Sequence, residues 1–420
     1  MMHKSDHDVR RHDVLIAGGG FVGLALACAL AGPRERPTGL RIMVVERAPA
    51  PAPEDRPDHR ASAVTAASLR MLHCLGAGGS IMPAAQKVTR MLIGDGAVDD
   101  VARPPFLLFE TEAGASDGSP AAHIVPNEVL LQSLRQAAAH DQITILHGRQ
   151  ITALHVDGAR ALVTLDDGQH IRADLVAAAD GVTSALRNLA RIKTVGWDTG
   201  QWGLVGTLAL ERDHEGQAVQ HFLPAGPFAL LPLPGKFASL VWSEQADEAQ
   251  RILCLPEQQV CDELMRRAGH QFGQLRPLAP LQAWPLQFNI ARSFIADRVA
   301  LVGDAAHRIH PLAGQGLNLG LKDVAALAEC VLDAARLGLD IAGVSVLERY
   351  QRWRRFDVAS MVAAMDGMNR LFSNDADAVR MMRELGMGLV QRLPAVKSWM
   401  VREAAGDTGT MPRLLRGEAA

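Results

Sequence analysis

A single carboxylate lies where a strand should end in residues 299–304, which read VALVGD. Residues 299–302 form a short apolar, β-branched run of the kind that lies in a buried sheet, and Gly303 and Asp304 close it. Open α/β sheets bind ligands at the carboxyl ends of their strands. We therefore expect Asp304 to accept hydrogen bonds from hydroxyl groups of a bound ligand.

A glycine-rich bend and a helix follow this carboxylate. Pro311, Gly314 and Gly316 permit a sharp turn, and a backbone without Cβ atoms can approach a flat ligand. Apolar residues recur at helical spacing from about Leu317, so the amides of Gly316, Leu317 and Asn318 would face the bend. A helix N-terminus favours negative charge, which suits a reduced flavin. On these signals alone, an ordinary strand-loop-helix connection explains the pattern equally well.

A second glycine cluster, residues 18–23, reads GGGFVG between an apolar strand and an alanine-rich helix. In such a motif Gly18 permits the tight turn, Gly20 lets the backbone approach a pyrophosphate, and Gly23 allows close helix packing. The next strand ends in Glu46, whose carboxylate can bind both ribose hydroxyls of an adenosine and would repel a 2′-phosphate. This order predicts a dinucleotide site for FAD or NAD rather than NADP.

Two further charged residues have both a functional and a structural explanation. Arg60, at the start of a helical pattern, could reach a pyrophosphate or the isoalloxazine edge, or it could be a solvated arginine. Asp180 follows a buried strand at residues 175–179 and could lie where the sheet meets the cofactor. It could equally serve only to cap the helix that follows. The residues alone leave both alternatives open.

Composition limits the classes of function. The chain has 420 residues, enough for two to three domain-sized units, and 48% of them are hydrophobic. A net charge of −3 gives no reason to expect nucleic acid as a partner. The five cysteines are scattered and form no C-x-x-C pair, so they indicate reduced thiols and neither a disulfide framework nor a zinc site.

Targeting signals are also informative. The first 13 residues are too polar for a signal peptide, and no apolar run approaches the length of a membrane span. We expect a cytoplasmic protein, with peripheral contact at the inner face of the membrane left open. The segment 376–405 is basic and amphipathic, which suits either a membrane surface or a helix packed on the protein.

The elements that must position these residues follow an α/β order. Strand-turn-helix units at both ends enclose a strand-rich region, with candidate strands at residues 207–210, 218–223, 228–233 and 237–242 and one helix at about 257–268. We predict a Rossmann-like dinucleotide-binding domain with an inserted β-sheet substrate domain and C-terminal helices. The predicted boundaries are 1–80, 123–190 and 286–370 for the first domain, 81–122 and 191–285 for the second, and 371–420 for the helical segment.

With these motifs in order, the chain resembles the group A flavoprotein aromatic hydroxylases, the p-hydroxybenzoate hydroxylase superfamily. The matching motifs are GGGFVG, Ala-Asp-Gly at 179–181 and Gly-Asp at 303–304. Within that superfamily, residues 310–323 (HPLAGQGLNLGLKD) look like the signature of the ubiquinone-biosynthesis hydroxylases. Residues 228–233 (FALLPL), 241–243 (VWS) and 350–355 (YQRWRR) are similar to further segments of that family.

The resemblance implies a set of cofactor-binding residues and a fold like that of p-hydroxybenzoate hydroxylase. FAD would be bound by Gly18, Gly20, Phe21, Val22, Gly23, Glu46, Arg47, Arg60, Asn127, Asp180, Gly303, Asp304, Pro311, Gly314, Gln315, Gly316, Leu317 and Asn318, with the backbone of residues 316–318 facing the flavin pyrimidine. Departures from the family pattern at Ala178, Pro126 and Gly78 affect local contacts and put substrate preference in doubt.

The implied reaction is aromatic hydroxylation with NADH or NADPH as reductant and O₂ as the oxygen source, through a C4a-peroxyflavin. The implied substrate is a lipid-like polyprenylated phenol of ubiquinone biosynthesis, and association with other proteins of that pathway is left open. We assign no acid-base residue. Tyr350, the single tyrosine, lies too late in the chain for a phenol relay. His307 and His310 could act as acid-base groups or contact the flavin edge, and they do not make a convincing metal pair.

Two other functions remain open at this stage. The same flavin chemistry could act on a soluble aromatic compound of secondary metabolism or degradation, because the pocket walls come from the least readable part of the sequence. Alternatively, the chain could be a flavin-bearing scaffold that binds a lipid or a partner enzyme without turnover. Protein that binds FAD but consumes no NAD(P)H with any prenylphenol would favour the scaffold.

Overall fold

A computed structural model describes residues 10–52, 58, 60–96, 98, 107–110, 120–309, 315–372, 405–406 and 409–420. The strands are β1 (Arg10–Ala17), β2 (Ile42–Glu46), β3 (Ala61–Thr65), β4 (Gln86–Lys87), β5 (Arg90–Asp95), β6 (Leu107–Glu110), β7 (Ala122–Pro126), β8 (Ile143–His147), β9 (Ile151–Asp157), β10 (Arg160–Leu165), β11 (His170–Ala178), β12 (Thr194–Leu210), β13 (Gln217–Leu223), β14 (Gly226–Leu233), β15 (Phe237–Gln245), β16 (Leu275–Pro277), β17 (Gln282–Ala291), β18 (Ile295–Ala296), β19 (Val299–Leu301) and β20 (His307–Arg308). The helices are α1 (Phe21–Ala31), α2 (Ala66–Cys74), α3 (Gly78–Ile81), α4 (Asn127–Ala137), α5 (Ala185–Leu189), α6 (Ala246–Leu253), α7 (Glu257–Ala268), α8 (Gln315–Arg336), α9 (Val344–Phe372) and α10 (Arg413–Arg416).

The first sheet has the order β18-β19-β11-β1-β2-β8, with β9 and β10 attached beside β11. Its central strands β19, β11, β1, β2 and β8 run parallel. The inner parts of β19, β11, β1 and β2 are buried on both faces, and residues such as Leu15, Ile16 and Val176 have no exposed surface, whereas the edge strand β8 is only partly buried. This explains why these strands read as continuous apolar runs without alternation. The predicted Rossmann-like α/β core is confirmed.

Helix α1 packs against α8 on this sheet. Its residues are nearly all buried, from Gly23 to Ala31, and most of them are alanine or leucine. Small side chains let a helix approach its neighbours closely. The chain therefore holds the glycine cluster at residues 18–23 rigidly against the sheet.

Within the described residues, the second sheet has nine strands in the order β20-β17-β12-β15-β14-β13-β5-β6, with β16 beside β12. One face is covered by α6 and α7 over a cluster that includes Phe228, Leu240 and Trp242. The opposite face contributes Leu231 and Leu233, which pack near β3 and β7 of a small third sheet, β3-β7-β4. A strand-rich unit next to the first sheet was predicted, and the structure contains it.

Three local predictions of secondary structure were wrong. The region 195–285 contains two helices, α6 and α7, where one was expected, because α6 spans only eight residues. Residues 61–65 form strand β3, paired with β7, where a helical pattern was predicted to begin. Helix α8 includes Gln315 and therefore begins before the predicted Leu317.

The C-terminal segment lies largely outside the described residues, including all but the last residue of the amphipathic stretch 376–405. Among the helices that the structure describes, none combines the length and hydropathy needed to cross a bilayer.

Candidate cofactor site

The parallel strands bring the predicted carboxylates to one edge of the first sheet. Strand β2 ends in Glu46, β1 is followed by Gly18, β11 by Asp180, and β19 by Gly303 and Asp304. Neighbouring strands are in register up to these ends. Four strand ends that are separated in sequence therefore converge where a parallel sheet binds ligands.

The glycines of the first turn have different roles. Gly18 has φ +101°, and a Cβ there would lie 2.4 Å from the carbonyl oxygen of Ala179. A Cβ at Gly23 would lie 1.9 Å from the carbonyl oxygen of Gly18. By contrast, a Cβ at Gly20 would meet nothing within 4 Å. Gly18 and Gly23 are thus required by the protein's own packing, whereas Gly20 borders open space that a ligand can occupy.

Helix α1 presents its N-terminus to this space. Gly20 is the N-cap and supplies no side-chain bond, and the first intrahelical bond runs from the amide of Leu24 to the Gly20 carbonyl. The amides of Phe21 and Val22 belong to the first turn, whose donors have no partner within the helix. Such a terminus suits a phosphate group.

The Glu46 carboxylate is fixed beside the same turn. It accepts a hydrogen bond from the amide of Gly19 and, at 2.7 Å, one from the amide of Ala48. The next residue, Arg47, is exposed. The two backbone donors orient the carboxylate, which is where a ribose would be bound in the predicted site.

Val22 connects the first motif to the third through packing. A Cβ at Gly303, which has φ +58°, would lie 3.1 Å from a methyl group of Val22, and one at Gly320 would lie 2.8 Å from the same methyl. The Val22 side chain therefore fills the gap between the Gly303 turn and helix α8. Because the Val22 side chain is used in this packing, only the Val22 backbone is left for the predicted role in cofactor binding.

Asp180 makes only part of the hydrogen bonding available to it. Its Oδ2 atom accepts from the amide of Leu186 at 3.2 Å, while the N-cap of α5 is Ser184, which accepts from the amide of Arg187. Asp180 Oδ1 is buried and has no hydrogen-bond partner among the described residues. A buried acceptor of this kind needs a donor, so capping accounts for one oxygen and a ligand hydroxyl would fit the other.

Arg187 is a site residue that sequence reasoning missed. It is buried, and it donates to the carbonyl of Ala305 at 3.0 Å and to that of Val182 at 2.9 Å. It thereby joins the loop after β11 to the turn that carries Asp304. Burial lowers the pKa of its guanidinium, and nearby Asp180 opposes the shift. An arginine in a short helix resembles a surface residue, so no sequence signal identified this contact.

Asp304 occupies a short 3₁₀ turn and is exposed to solvent, although protein surrounds it on most sides. Desolvation raises the pKa of its carboxyl, while the nearby His307 and Arg308 oppose the shift. An accessible carboxyl is suited to bond a ligand hydroxyl, and this role of Asp304 stays a prediction.

The first turn of α8 approaches the same region. Asn318 has a structural task there, because its side chain donates to the carbonyl of Ala63 at 2.8 Å and accepts from the amide of Thr65 at 3.0 Å. Its side chain thus fixes strand β3 on α8, and the predicted role concerns the backbone of Asn318, next to Gln315, Gly316 and Leu317. The predicted residues Pro311 and Gly314, and also His310, lie outside the described residues.

Arg60 precedes strand β3 of the small third sheet and contacts the second sheet. Its Nε and Nη2 atoms bond both oxygens of Asp58 at 2.7 and 2.8 Å, and its guanidinium lies 5.4 Å from the ring centre of Trp284 on β17. Hydrogen bonding to Asp58 raises the pKa of Arg60. Asn127 donates its amide to the Arg60 carbonyl and accepts from Ser62 Oγ. The structure thus places Arg60 and Asn127 together, in contact with β3 and the second sheet.

The two remaining candidates for acid-base chemistry lie inside the protein. Tyr350 has no exposed surface, and burial raises the pKa of its phenol well above 10. His307 is 2% exposed. Neither side chain can take a proton from a substrate in a cleft. Among the described residues, no group of three or more His, Cys, Asp or Glu could hold a metal ion.

The arrangement fits a dinucleotide that carries hydroxyl groups. Two helix N-termini suit anionic groups, the space beside Gly20 admits a backbone-bound diphosphate, and the orphaned Asp180 oxygen and accessible Asp304 suit hydroxyl donors. These features match FAD, which has a diphosphate, a ribose and a ribityl chain.

Comparisons with known proteins identify the relatives of this chain. The family described as "FAD binding domain" matches residues 11–365. A ubiquinone hydroxylase, UbiL, of Rhodospirillum rubrum is 40% identical over 412 residues, covering 96% of this chain and 92% of that protein. The 3-demethoxyubiquinol 3-hydroxylase of Escherichia coli is 35% identical over 397 residues, covering 94% and 98%.

Solved structures share the fold. The p-nitrophenol 4-monooxygenase PnpA of Pseudomonas putida superposes with a TM-score of 0.79 at 19% identity, covering 96% of this chain and all of the other. A variant of HpxO from Klebsiella pneumoniae, solved with FAD, has a TM-score of 0.73 at 18% identity and covers 94% and 99%.

Proposed function

Since the chain belongs to the FAD binding domain family and is an FAD-dependent monooxygenase, we propose that it hydroxylates a polyprenylated phenol on the route to ubiquinone. The similarity to the Rhodospirillum rubrum ubiquinone hydroxylase, which extends over 96% of the chain, carries this proposal. The reductant is NADH or NADPH, and O₂ supplies the oxygen. Because the proposed substrate is lipid-like, we also propose that the protein contacts a membrane surface peripherally. We further propose that it associates with other enzymes of the route.

The first turn would hold the diphosphate and adenosine of FAD. The amides at the start of α1 would bind the diphosphate beside Gly20, where the structure leaves space. Glu46 would accept hydrogen bonds from the ribose hydroxyls. The carboxylate would then exchange its bonds to Gly19 and Ala48 for bonds to the ligand, or share them. Arg60 would reach the diphosphate only by leaving Asp58.

The other two motifs would hold the flavin half. Asp304 and the free oxygen of Asp180 would bond hydroxyl groups, and the first-turn amides of α8 at Gly316 and Leu317 would face the pyrimidine. Once bound, FAD supplies the redox and oxygen chemistry. The protein's own residues bind it, orient the substrate and exclude water.

The second sheet would cover the substrate, and we propose residues 81–122 and 191–285 as the substrate domain. Strand β17 pairs with β20, which begins directly after the turn that carries Asp304. The face that includes Leu231 and Val241 is apolar and would exclude water from the aromatic ring. Because Tyr350 is buried in the first unit, no tyrosine relay takes the phenolic proton. The proposed polyprenylated phenol would already carry an activating oxygen.

Substitution of Asp304 by alanine tests the site. We expect a 10- to 100-fold weaker affinity for FAD, because a hydrogen bond to a charged group contributes about 1.5–3 kcal/mol. Titration of FAD-free protein with FAD, followed by quenching of flavin fluorescence, measures the change. Asp297→Ala is the matched control, since this exposed carboxylate lies at the opposite end of β19. An Asp304→Ala protein that stays yellow and active would contradict the assignment.

Deletion of the gene tests the reaction. In a strain without a redundant hydroxylase, we expect ubiquinone to fall and a less hydroxylated prenylphenol to accumulate, measured by mass spectrometry of the quinone pool. Normal ubiquinone content would refute the proposed substrate. Purified protein that oxidises NAD(P)H only with soluble phenols would instead support the alternative of a soluble aromatic substrate.

A further inference from the structure

The turn that carries Asp304 is held from behind at three points. Tyr350 donates its hydroxyl to the carbonyl of Leu301 at 2.6 Å. Asp323 Oδ2 accepts from the amide of Gly303 at 2.9 Å and lies 2.6 Å from Nε2 of His307. These contacts come from α8 and α9 and fix the end of β19, the turn itself and the start of β20.

The charge at the centre of this arrangement is buried and compensated. Asp323 has no exposed surface, and its Oδ1 atom accepts from Nε of Arg354 at 2.7 Å. Arg354 is 3% exposed and also pairs with Asp357. Burial alone would raise the pKa of Asp323, but His307 and Arg354 outweigh it and hold the pKa below its usual value. The carboxylate is therefore ionised and accepts bonds from three donors.

These residues belong to two sequence motifs, and the proposed cofactor contacts of those motifs give them no role. Asp323 is the last residue of the stretch 310–323, and Tyr350 and Arg354 lie in the segment 350–355 (YQRWRR). Because they have almost no exposed surface, they cannot touch a cofactor or a substrate. A buried ion pair is also a poor source of stability compared with apolar packing. Their common target is the backbone of the Gly303–Ala305 turn.

We propose that Asp323 and Arg354 are positioning residues that set the place of the Asp304 turn and thereby the affinity for FAD. The inference rests on the proposed role of Asp304 in binding FAD. Asp323 orients Gly303 and His307 directly, and Arg354 keeps Asp323 ionised and aligned. Tyr350 adds a third, neutral contact at Leu301.

Asp323→Asn is the principal test. We expect FAD affinity to fall at least tenfold, equal to about 1.4 kcal/mol, at a temperature where circular dichroism shows the variant folded. The absorption spectrum of the remaining bound flavin should also change, because the turn no longer holds its position. Arg354→Lys, which keeps the charge, should recover part of the affinity that Arg354→Ala loses.

The matched control is Arg298→Gln. It breaks another arginine-aspartate pair, Arg298 with Asp340 at 2.7 Å, at the opposite end of β19. This control should lose melting temperature and keep the wild-type FAD affinity and flavin spectrum. If Asp323→Asn behaves in the same way as the control, its role is only structural and the inference is overturned.

A milder variant keeps the test decisive if Asp323→Asn does not fold. Tyr350→Phe removes one hydrogen bond and should weaken FAD binding about fivefold, as expected for about 1 kcal/mol. Unchanged affinity in folded Tyr350→Phe would count against the inference. Asp304→Ala distinguishes the two proposals. If Asp304→Ala binds FAD normally, the proposed cofactor site is wrong. If Asp304→Ala loses affinity but the Asp323 and Tyr350 variants bind FAD normally, only the positioning role is wrong.

Discussion

Gly23→Ala is expected to yield protein that retains no FAD and melts at a markedly lower temperature. The added Cβ would lie 1.9 Å from the carbonyl oxygen of Gly18, a backbone atom that no side-chain movement can displace. Overpacking of a well-packed core costs about 1–3 kcal/mol and occasionally more. The strain falls on the turn that begins with Gly18, so cofactor binding and stability fail together. Flavin absorbance of the purified protein and a thermal melt of the FAD-free protein measure the two effects.

Gly20→Ala is the control for that experiment and should separate the two effects. A Cβ at Gly20 meets nothing within 4 Å, and its φ of −78° is accessible to alanine. The FAD-free variant should therefore melt at the wild-type temperature, while its FAD affinity falls because the Cβ occupies the space proposed for the diphosphate. If Gly20→Ala binds FAD as wild type does, the diphosphate does not lie against this residue.

The convergence of the site could be predicted from sequence because each part has a local signal. Gly18, Glu46, Asp180 and Asp304 each follow an apolar run, and parallel strands in register bring such ends together. No local sequence signal specifies the register of these strands, but their apolar character leaves few other ways to pair them in a sheet. Whether these residues bind FAD stays a prediction.

The residues that hold the site in place could not be predicted. Arg187 contacts a carbonyl 118 positions away, and Asn318 bonds to strand β3 across 253 positions. Nothing near either residue in sequence indicates its partner. Asp323 was recognised only as the end of a motif, and its ion pair with Arg354 depends on how α8 packs on α9.

Strand β12 shows a different limit of prediction from sequence. Only residues 207–210 were predicted as strand, whereas β12 begins at Thr194. The part of β12 before residue 207 contains glycines at 196, 200, 203 and 206, which lower strand propensity. In the structure the glycines at 196, 203 and 206 permit close approach of neighbouring segments, since a Cβ at Gly196 would lie 2.6 Å from the carbonyl oxygen of Phe288. Tertiary packing with β17 outweighs the local preference.

Arg267→Ala should strongly destabilise the second sheet, because this arginine lies in a buried cluster of charges with Glu244 and Glu263. Arg267 is 4% exposed and lies between Glu244 at 3.1 Å and Glu263 at 2.5 Å, with its guanidinium 4.4 Å from the ring centre of Trp242. Removing one partner of a buried ion pair costs about 3–5 kcal/mol, because the other charge stays buried. Urea denaturation should show a loss of this size.

Arg251→Ala removes the same charge from the same cluster and is the matched control. Arg251 also bonds Glu263, at 2.6 Å, but its side chain is 46% exposed, so the loss of unfolding free energy should be at most about 1 kcal/mol.

The pH dependence of stability provides a second test. Burial raises the pKa of Glu263, but hydrogen bonds from Arg251 and Arg267 outweigh it and hold the pKa below 4.5. The ion pair therefore stabilises the fold above pH 4.5 and ceases to do so as the pH falls through the folded-state value. The difference in unfolding free energy between wild type and Arg267→Ala should therefore become smaller in acid. If Arg267→Ala and Arg251→Ala lose equal stability at neutral pH, burial does not determine the contribution of these charges.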